Sequence, residues 1–251
     1  MVLAEQTEYY SGQGQVTYAE RNELGRPEGG LIFLGDCSQL ETKVTVDRKE
    51  HNESQTGRGA VDAVFETAQK VEFNGTFGGF DSKNLDLYLY GSSQELESAV
   101  ITGEEIIAYR GRRVPLSRMP ITFDSLGSLV EGEDYLIDLG TGMIRFPETS
   151  SVTDETVYTV NYEAAPERLT TAFTTPNTYK YLRFDGLNRG SDNVPVIIEV
   201  YRARFDPAEM LALINEEFAE YTLNGTALYD AVNDVDPIYG GFMRVRVKQP
   251  V

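Results

Sequence analysis

The stretch from Gly30 to Asp62 constrains the fold of this chain more than any other part of the sequence. An apolar segment, Leu31–Leu34, is followed by a turn at Gly35 and Asp36. Apolar and polar side chains then alternate with a period of two, which predicts a strand with one buried face. The positions of that face are Leu40, Thr42, Val44 and Val46.

This strand runs into an arm, Asp47 to Gly59, that is almost wholly charged or polar. Such an arm buries almost no apolar surface, so it contributes little to the folding of its own chain. We expect it to order against another copy of the protein. The arm therefore favours an assembly subunit over an enzyme.

The composition favours strands and argues against two kinds of partner. The chain has 251 residues, enough for one large β domain or two small ones, and its 15 Tyr and 12 Phe suit pleated, half-buried surfaces. Its 23 Gly and 10 Pro divide the sequence into short segments, which is typical of all-β folds. A net charge of −18 argues against binding to nucleic acid phosphates or to an anionic membrane.

The N-terminal region predicts an arm and carries no targeting signal. Residues 1–29 are polar and glycine-rich with little periodicity, so we expect them to order only on contact with something else. The first ten residues lack the basic and apolar regions of a secretory signal. No apolar run approaches membrane-spanning length. We therefore expect a protein that is cytosolic when it is made.

The rest of the chain predicts a β core that is interrupted by a second β module. Ala63–Phe77 predicts a return strand that forms a long hairpin with the first strand, and the Asn74-Gly75 pair is interpreted as part of that strand. We assign residues 30–99 and 166–251 to the core. Residues 100–165 form the module, in which Gly140-Thr141-Gly142 between two apolar runs predicts a hairpin. Further core strands are predicted at Tyr179–Phe184 and Val194–Phe205 and in the basic segment near the C-terminus.

Two helices and one turn are predicted in the core. Leu85–Gly91 favours a short helix with Asp81 as its N-cap, although its leucines also alternate as in a strand. Asp206–Asn215 predicts a helix, because Asp206 can cap it and Pro207 suits its first turn. The pair Asn224-Gly225 predicts a turn.

The candidates for catalysis or metal binding are few and nonspecific. Carboxylate pairs at Glu104-Glu105, Glu131–Asp134 and Glu216-Glu217 could supply the acid and base of a glycosidase, but they lie beside predicted turns. Asp230, Asp234 and Asp236 resemble loose calcium ligands without the glycine and glutamate of an EF-hand loop, and a surface turn is favoured. Cys37, the single cysteine, is interpreted as a small buried hydrophobe, since the only histidine lies in the charged arm.

The order of these segments resembles the tail tube (major tail) proteins of long-tailed bacteriophages and their prophage relatives. The resemblance covers about residues 30–230, and each of its motifs is loose. They are GLIFLGDCSQLETKVTVDRKEHNESQTGRGAVD, FDSKNLDLYLYG, EDYLIDLGTGMIRF with VYTVNY, and YRARFDPAEMLALINEEFAEYTLNGTALYD.

The resemblance implies a mainly-β, antiparallel β-sandwich or barrel-like tail tube fold with one short flanking helix, a long hairpin arm and a small inserted β module. Its members form hexameric rings that stack into a hollow tube, which conducts DNA from capsid to host without specific binding. It implies a virion tail protein, assembled in the bacterial cytoplasm, with no catalytic site, cofactor, metal or membrane contact. Its partners would be further copies, the tape measure, the tail terminator and the distal tail protein.

The same resemblance implies roles for two sets of residues. The arm would be the family's loop that bridges to a neighbouring ring, and the chain ends would also link rings. The inter-ring loop residues are Asp47, Arg48, Lys49, Glu50, His51, Glu53 and Arg58. Candidate lumen residues are the outward positions of the core strands, whose acidity would repel DNA. They are Glu41, Lys43, Asp47, Glu66, Lys70 and Glu72.

Two other functions stay open from the residues alone. The alternative is a carbohydrate-binding β-sandwich module of a phage or bacterial surface structure, which needs exposed aromatic side chains on one concave face. Tyr88, Tyr90, Tyr179 and Tyr181 could serve. A glycosidase would require one of the carboxylate pairs.

Overall fold

The computed structural model describes residues 9–78, 84–175, 178–208, 210, 213–214 and 216–249. It is mainly β, with 57% of residues in strands and 4% in helices, which confirms the predicted fold class. The chain forms two compact units, the first made of Met1–Ser92 with Thr171–Val251 and the second of Ser93–Thr170. The sequence had suggested an additional module at residues 100–165.

The described elements follow one another along the chain as antiparallel strands with two short helices. Their bounds are β1 Gly12–Arg21, β2 Pro27–Phe33, β3 Asp36–Asn52, β4 Val61–Gly78, α1 Leu85–Leu89, β5 Ser92–Leu96, β6 Ala99–Ala108, β7 Arg113–Pro115, β8 Pro120–Phe123, β9 Leu136–Asp138, β10 Met143–Arg145, β11 Thr156–Ala164, β12 Glu167–Thr171, β13 Lys180–Asn188, β14 Val194–Phe205, β15 Glu220–Ala227, α2 Ala231–Asp234 and β16 Met243–Val247.

The first unit is built on one eight-stranded sheet that curls on itself. Its strand order is β2-β1-β13-β14-β15-β4-β3, and β16 pairs with β14 beside β15. Strands β2 and β3 lie at opposite ends of this order, yet only Leu34 and Gly35 connect them. Two residues span roughly 10 Å at most, so the two ends of the sheet must approach each other. Leu34 is buried, and its N–H donates to the carbonyl of Val16 at 3.0 Å.

Phenylalanine rings that lie over glycines fill the inner face of this sheet. Phe73 packs over Gly225, and Phe184 packs over Gly186 on its own strand. A glycine in a strand has no side chain to cover its backbone, and a neighbouring aromatic ring supplies that cover. The buried core of the unit combines these positions with other apolar side chains. It includes Val16, Tyr18, Leu34, Phe73, Phe77, Tyr88, Leu182, Val200, Phe205 and Leu223.

The second unit has a core of its own beneath two three-stranded sheets. One sheet has the order β7-β10-β9 and the other β6-β11-β8, while β5 and β12 pair as a two-stranded sheet. Strands β9 and β10 pair around Gly140-Thr141-Gly142, which confirms the predicted hairpin. Its fully buried side chains include Leu126, Ile144, Phe146 and Val160.

Several local predictions are confirmed. Strand β4 runs without interruption through Asn74-Gly75 and pairs with β3 as a long hairpin. Helix α1 occupies the predicted position, although Asn84 precedes it as N-cap and the predicted cap Asp81 lies outside the described residues. The basic segment near the C-terminus is strand β16.

Three local predictions are wrong. The first is the prediction that residues 1–29 order only on contact with a partner. Within the described residues, which begin at Tyr9, Gly12–Arg21 is strand β1, which pairs with β2 and β13 and buries Val16 and Ala19. Composition hid this strand because its outward residues are polar. The turn expected at Asn224-Gly225 is absent, since β15 continues through it and pairs with β4.

The helix predicted over Asp206–Asn215 is also wrong where the structure describes it. Residues 206–208, 210 and 213–214 are not helical, and residues 209, 211, 212 and 215 lie outside the described residues. The side chains of Leu213 and Ile214 are exposed. Capping signals alone cannot hold so short a helix in water, and the exposed side chains of Leu213 and Ile214 gain no burial that would stabilise it.

Candidate assembly surfaces

A two-stranded ribbon extends beyond the core of the first unit. Strands β3 and β4 pair from Asp36 and Gly78 out to Asn52 and Val61, whereas β15 covers β4 only over Val71–Gly78. Every residue from Val61 to Lys70 is exposed. We call residues 45–70 the ribbon. An isolated two-stranded hairpin is marginally stable in water, so this element gains by packing against a partner.

The ribbon corrects the prediction of a long charged loop at residues 47–59. Asp47 to Asn52 are strand residues that pair with β4, and the connection is confined to residues 53–60. The sequence predicted a loop here because both faces of the ribbon meet solvent. Residues 47–52 therefore show no alternation of apolar and polar side chains. Backbone pairing with β4, rather than burial, holds this part of β3 in register.

The tip of the ribbon is a structured turn. The Glu53 carboxylate accepts hydrogen bonds from the backbone N–H groups of Gln55, at 3.0 Å, and Thr56, at 2.9 Å, and from the Thr56 hydroxyl. These donors hold the pKa of Glu53 below its usual range. Gly57 and Gly59 have φ angles of 73° and 60°, which L side chains rarely adopt. A turn ordered in advance loses less entropy when it binds.

The predicted inter-ring residues are placed along this ribbon. Arg48 lies opposite Glu66, with Nη2 and Oε1 3.7 Å apart. His51 Nδ1 lies 2.6 Å from Asp62 Oδ1 across the ribbon. The remaining members all belong to the ribbon as well. They are Asp47, Lys49, Glu50, Glu53 and Arg58.

Four of the candidate lumen residues share one face of the β3–β4 hairpin. Lys43 lies directly opposite Glu72, so Glu41 and Lys70, two positions away on each strand, lie on the same side. Lys70 contacts Glu72, and this contact lowers the pKa of the carboxyl and raises that of the ammonium group. Asp47 lies six positions after Glu41 on β3, so by alternation it belongs to the same face.

Glu66 departs from that set. Asp47 pairs with Ala68 and Arg48 pairs with Glu66, so Thr67 is an extra residue in β4. This bulge places Glu66 opposite Arg48, whose parity along β3 differs from that of Lys43. By register Glu66 therefore lies on the other face. Sequence alternation alone could not detect the bulge.

The ribbon also carries apolar side chains that sequence reasoning did not single out. Val61, Val64 and Phe65 are 51%, 53% and 55% exposed. Large exposed apolar groups close together mark an interaction surface more often than a solvated one. The sequence carries these apolar residues close together, but the prediction of a return strand over Ala63–Phe77 did not identify them as exposed.

A buried carboxylate on β14 was missed altogether. Glu199 is 4% exposed and lies between Arg183 on β13 and Arg244 on β16, its direct Cα partners. It accepts from Arg244 Nε at 2.5 Å, and Arg246 Nε lies 3.2 Å away. Burial opposes the charged form, but these arginines and the Tyr181 hydroxyl keep the pKa of Glu199 below its usual range. The carboxylate thus attaches β16 to the sheet.

Several of the carboxylates considered for catalysis or calcium binding have structural partners. Glu104 accepts from Ser117 N at 2.7 Å and from the Tyr162 hydroxyl at 2.6 Å. Asp230 receives two 2.9 Å hydrogen bonds from Arg21 and caps α2 through Val232 N. Asp230 is therefore already paired with a cationic side chain of its own chain. No cluster of metal-binding side chains occurs among the described residues.

The tyrosines proposed for sugar binding do not form an exposed platform. Tyr88 and Tyr181 are each 3% exposed, and the hydroxyl of Tyr90 donates to the Phe205 carbonyl. Tyr179 is 41% exposed, but the Arg202 guanidinium lies 4.1 Å from its ring centroid. Two of the four rings are therefore buried, and Arg202 covers one face of Tyr179, so the four do not form one exposed aromatic surface.

An open groove of about 990 Å³ lies in the first unit, bordered by β1, β3, β14 and β16. Its lining mixes polar and apolar residues, and the apolar ones include Leu40, Val196, Ile198, Val245 and Val247. Cys37 lies in the same wall and is only partly buried, and burial is the main reason that the pKa of its thiol is raised.

Comparison with known families matches nearly the whole chain. A family model described as "Protein of unknown function UCP028589" matches residues 9–246. The chain belongs to this family. No curated protein matches the sequence. The match spans both compact units, so the second unit is a shared part of the family architecture.

A search of the described helices finds none that is both long and apolar enough to cross a membrane.

Proposed function

We propose that this chain is the subunit of a hollow tube, of the kind that forms the tail of long-tailed bacteriophages. Copies associate into rings, six per ring by the resemblance, and the rings stack into a channel through which DNA passes from capsid to host. In this role the protein belongs to the virion tail and is a structural component, not an enzyme.

The ribbon is the observation that carries this proposal. Its strands pair with each other and with no other described strand, and its apolar side chains are exposed. A second copy is a partner that is always present at high concentration during assembly. Packing against it would cover the apolar groups and stabilise the ribbon.

The outer face of β3, β4 and β15 supports a lumen lining. Rows of small polar and charged side chains run across these strands, such as Glu41 opposite Asn74 and Asn74 opposite Asn224. The charges of Lys43 and Lys70 are balanced there by those of Glu41 and Glu72, so the face offers no net positive charge to DNA phosphates. DNA would slide along such a surface instead of binding to it.

Electron microscopy tests the proposal directly. Negative-stain images of purified protein at high concentration, and of virions labelled with an antibody against the chain, should show rings or tubes with a central channel and label along the tail. A protein that stays monomeric, together with virions that carry no label, would overturn the proposal.

A further inference from the structure

The ribbon leaves the outer edges of both β3 and β4 unpaired among the described strands, and β16 leaves one of its edges unpaired. Residues 61–70 of β4 pair with β3 on one side, and β15 begins to pair with β4 only at Val71. Strand β16 pairs with β14 and with no other described strand. Free strand edges are sites where a second chain can add its own strand.

The β4 edge and the β16 edge carry net charges of opposite sign. Residues 61–70 contain Asp62, Glu66 and Lys70, a net charge of −1, whereas residues 243–249 contain Arg244, Arg246 and Lys248 and no acidic residue, a net charge of +3. Opposite charges that face each other across paired strands contribute favourably, and like charges do the reverse. Each edge is therefore better suited to the other than to a copy of itself.

The apolar surfaces beside these edges also correspond. Val64 and Phe65 are more than half exposed on the ribbon, and Val245 and Val247 are 55% and 49% exposed where they line the groove. Met243 of β16 packs against the core of the first unit, whereas Val245 and Val247 stay about half exposed. A ribbon strand added beside β16 would cover Val245 and Val247, and the same contact would cover Val64 and Phe65 of the ribbon.

We propose that the free edge of β4 in the ribbon docks against β16 of a second copy and covers its open groove. This inference rests on the proposed function, and it identifies the docking site of the connector. The contact is heterologous, because one copy contributes the ribbon and the other contributes β16. A heterologous contact that does not close on itself produces an open stack.

Cross-linking between two single-cysteine variants tests the docking site. In a Cys37→Ser background, Phe65→Cys and Val247→Cys are purified separately, mixed in equal amounts, assembled and treated with a short bismaleimide. Both positions are about half exposed, so the fold should persist, which circular dichroism checks. We expect a covalent dimer in the mixture and none with either variant alone.

A matched pair places the second cysteine elsewhere. Leu24→Cys replaces Val247→Cys in the mixture, since Leu24 is 69% exposed in the turn between β1 and β2. This mixture should give no dimer. Assembled particles that cross-link equally in both mixtures, or in neither, would overturn the docking site while leaving the tube proposal in place.

A second variant tests the same contact without a cross-linking reagent. Phe65→Asp should leave rings intact and reduce stacking at least tenfold, measured as tube length by electron microscopy. Val157→Asp, at a 52% exposed position in the second unit, should stack normally. Normal stacking by Phe65→Asp would contradict the docking site. Absence of any assembly by the unaltered chain would overturn the proposed function, and this site with it, because its occupant is a second copy.

Discussion

Phe73 lies directly opposite Gly225 on the neighbouring strand, and its ring occupies the space where a side chain at position 225 would begin. A Cβ built on Gly225 would stand 2.2 Å from the ring and 2.5 Å from the carbonyl oxygen of Arg204. The pair permits β4, β15 and β14 to approach closely in the curled sheet. Neither residue can be enlarged without moving a backbone.

Gly225→Ala should destabilise the first unit by about 1–3 kcal/mol, because the added methyl group overpacks a filled core. Gly78→Ala is the matched control in the same sheet, since its Cβ would meet Asp36 O at an ordinary 3.8 Å. Urea unfolding followed by circular dichroism measures both. Equal urea midpoints for the two variants would show that the Phe73 ring can move to make room for the added methyl group.

Glu199→Gln should lower the free energy of unfolding by about 3 kcal/mol, because it removes the buried negative charge that pairs with three partly exposed arginines. Glu20→Gln, at a 59% exposed side chain paired with Lys180, should cost less than about 1 kcal/mol. Thermal melts at neutral pH compare the two. Similar losses would indicate that the arginines find other partners.

Glu199 should also make the fold sensitive to acid. Its pKa is lowered in the folded state, so its contribution is present above the ordinary glutamate value near 4.3 and is lost as the pH falls through the folded pKa. Unfolding measured between about pH 6 and pH 2 should show stability falling below about pH 4.5. The slope should be shallower for Glu199→Gln; an unchanged slope would assign the acid response to other carboxylates.

Shortening the ribbon should separate folding from assembly. Val46 and Gln69 lie opposite each other, so residues 47–68 can be replaced by Asn-Gly, which favours a two-residue hairpin turn. The removed residues contribute little to the core, so the free energy of unfolding should change by less than about 1 kcal/mol. Stacked rings should be absent by electron microscopy. Tubes formed by the shortened chain would refute the connector role.

The second unit should be removable as a whole. Ser92 and Thr171 lie at its boundaries, with their hydroxyl oxygens 3.3 Å apart, so a short Gly-Ser linker can join them when residues 93–170 are deleted. The remaining sheet keeps its core, and cooperative unfolding should persist in calorimetry. Loss of the transition would show that the first unit depends on the second.

The pattern of the sequence predicted elements where burial differs between the two faces of a strand. Strands β13 and β14 and the Gly140–Gly142 hairpin formed as expected. Strand β3 also formed, but the buried face expected at Leu40, Thr42, Val44 and Val46 did not: none of these residues is buried, and Val44 is 67% exposed. Strand β1 was missed because glycine and polar residues dominate it. The Asp206–Asn215 helix failed because capping signals report on a helix end and not on a surface that would pack against it.

The candidate assembly surfaces also have features that the sequence predicted and features that it did not. The sequence singled out the charged arm by composition, but it could not show that residues 47–52 are paired strand or that Thr67 is a bulge that turns Glu66 to the other face. It gave no indication of Glu199, because a glutamate between Val196 and Tyr201 reads as an outward position. Its burial depends on arginines from two other strands.

By itself the sequence determined a mainly-β chain with a long hairpin and a charged segment, because hydrophobic alternation and turn residues act over a few neighbouring positions. Only the tertiary structure decided that the sheet curls through Leu34 and Gly35 and that glycines receive phenylalanine rings. The tertiary structure also decided that the outer edges of β16 and of β4 in the ribbon have no partner strand among the described residues. These features depend on contacts between residues far apart in the chain, whose geometry no local pattern encodes.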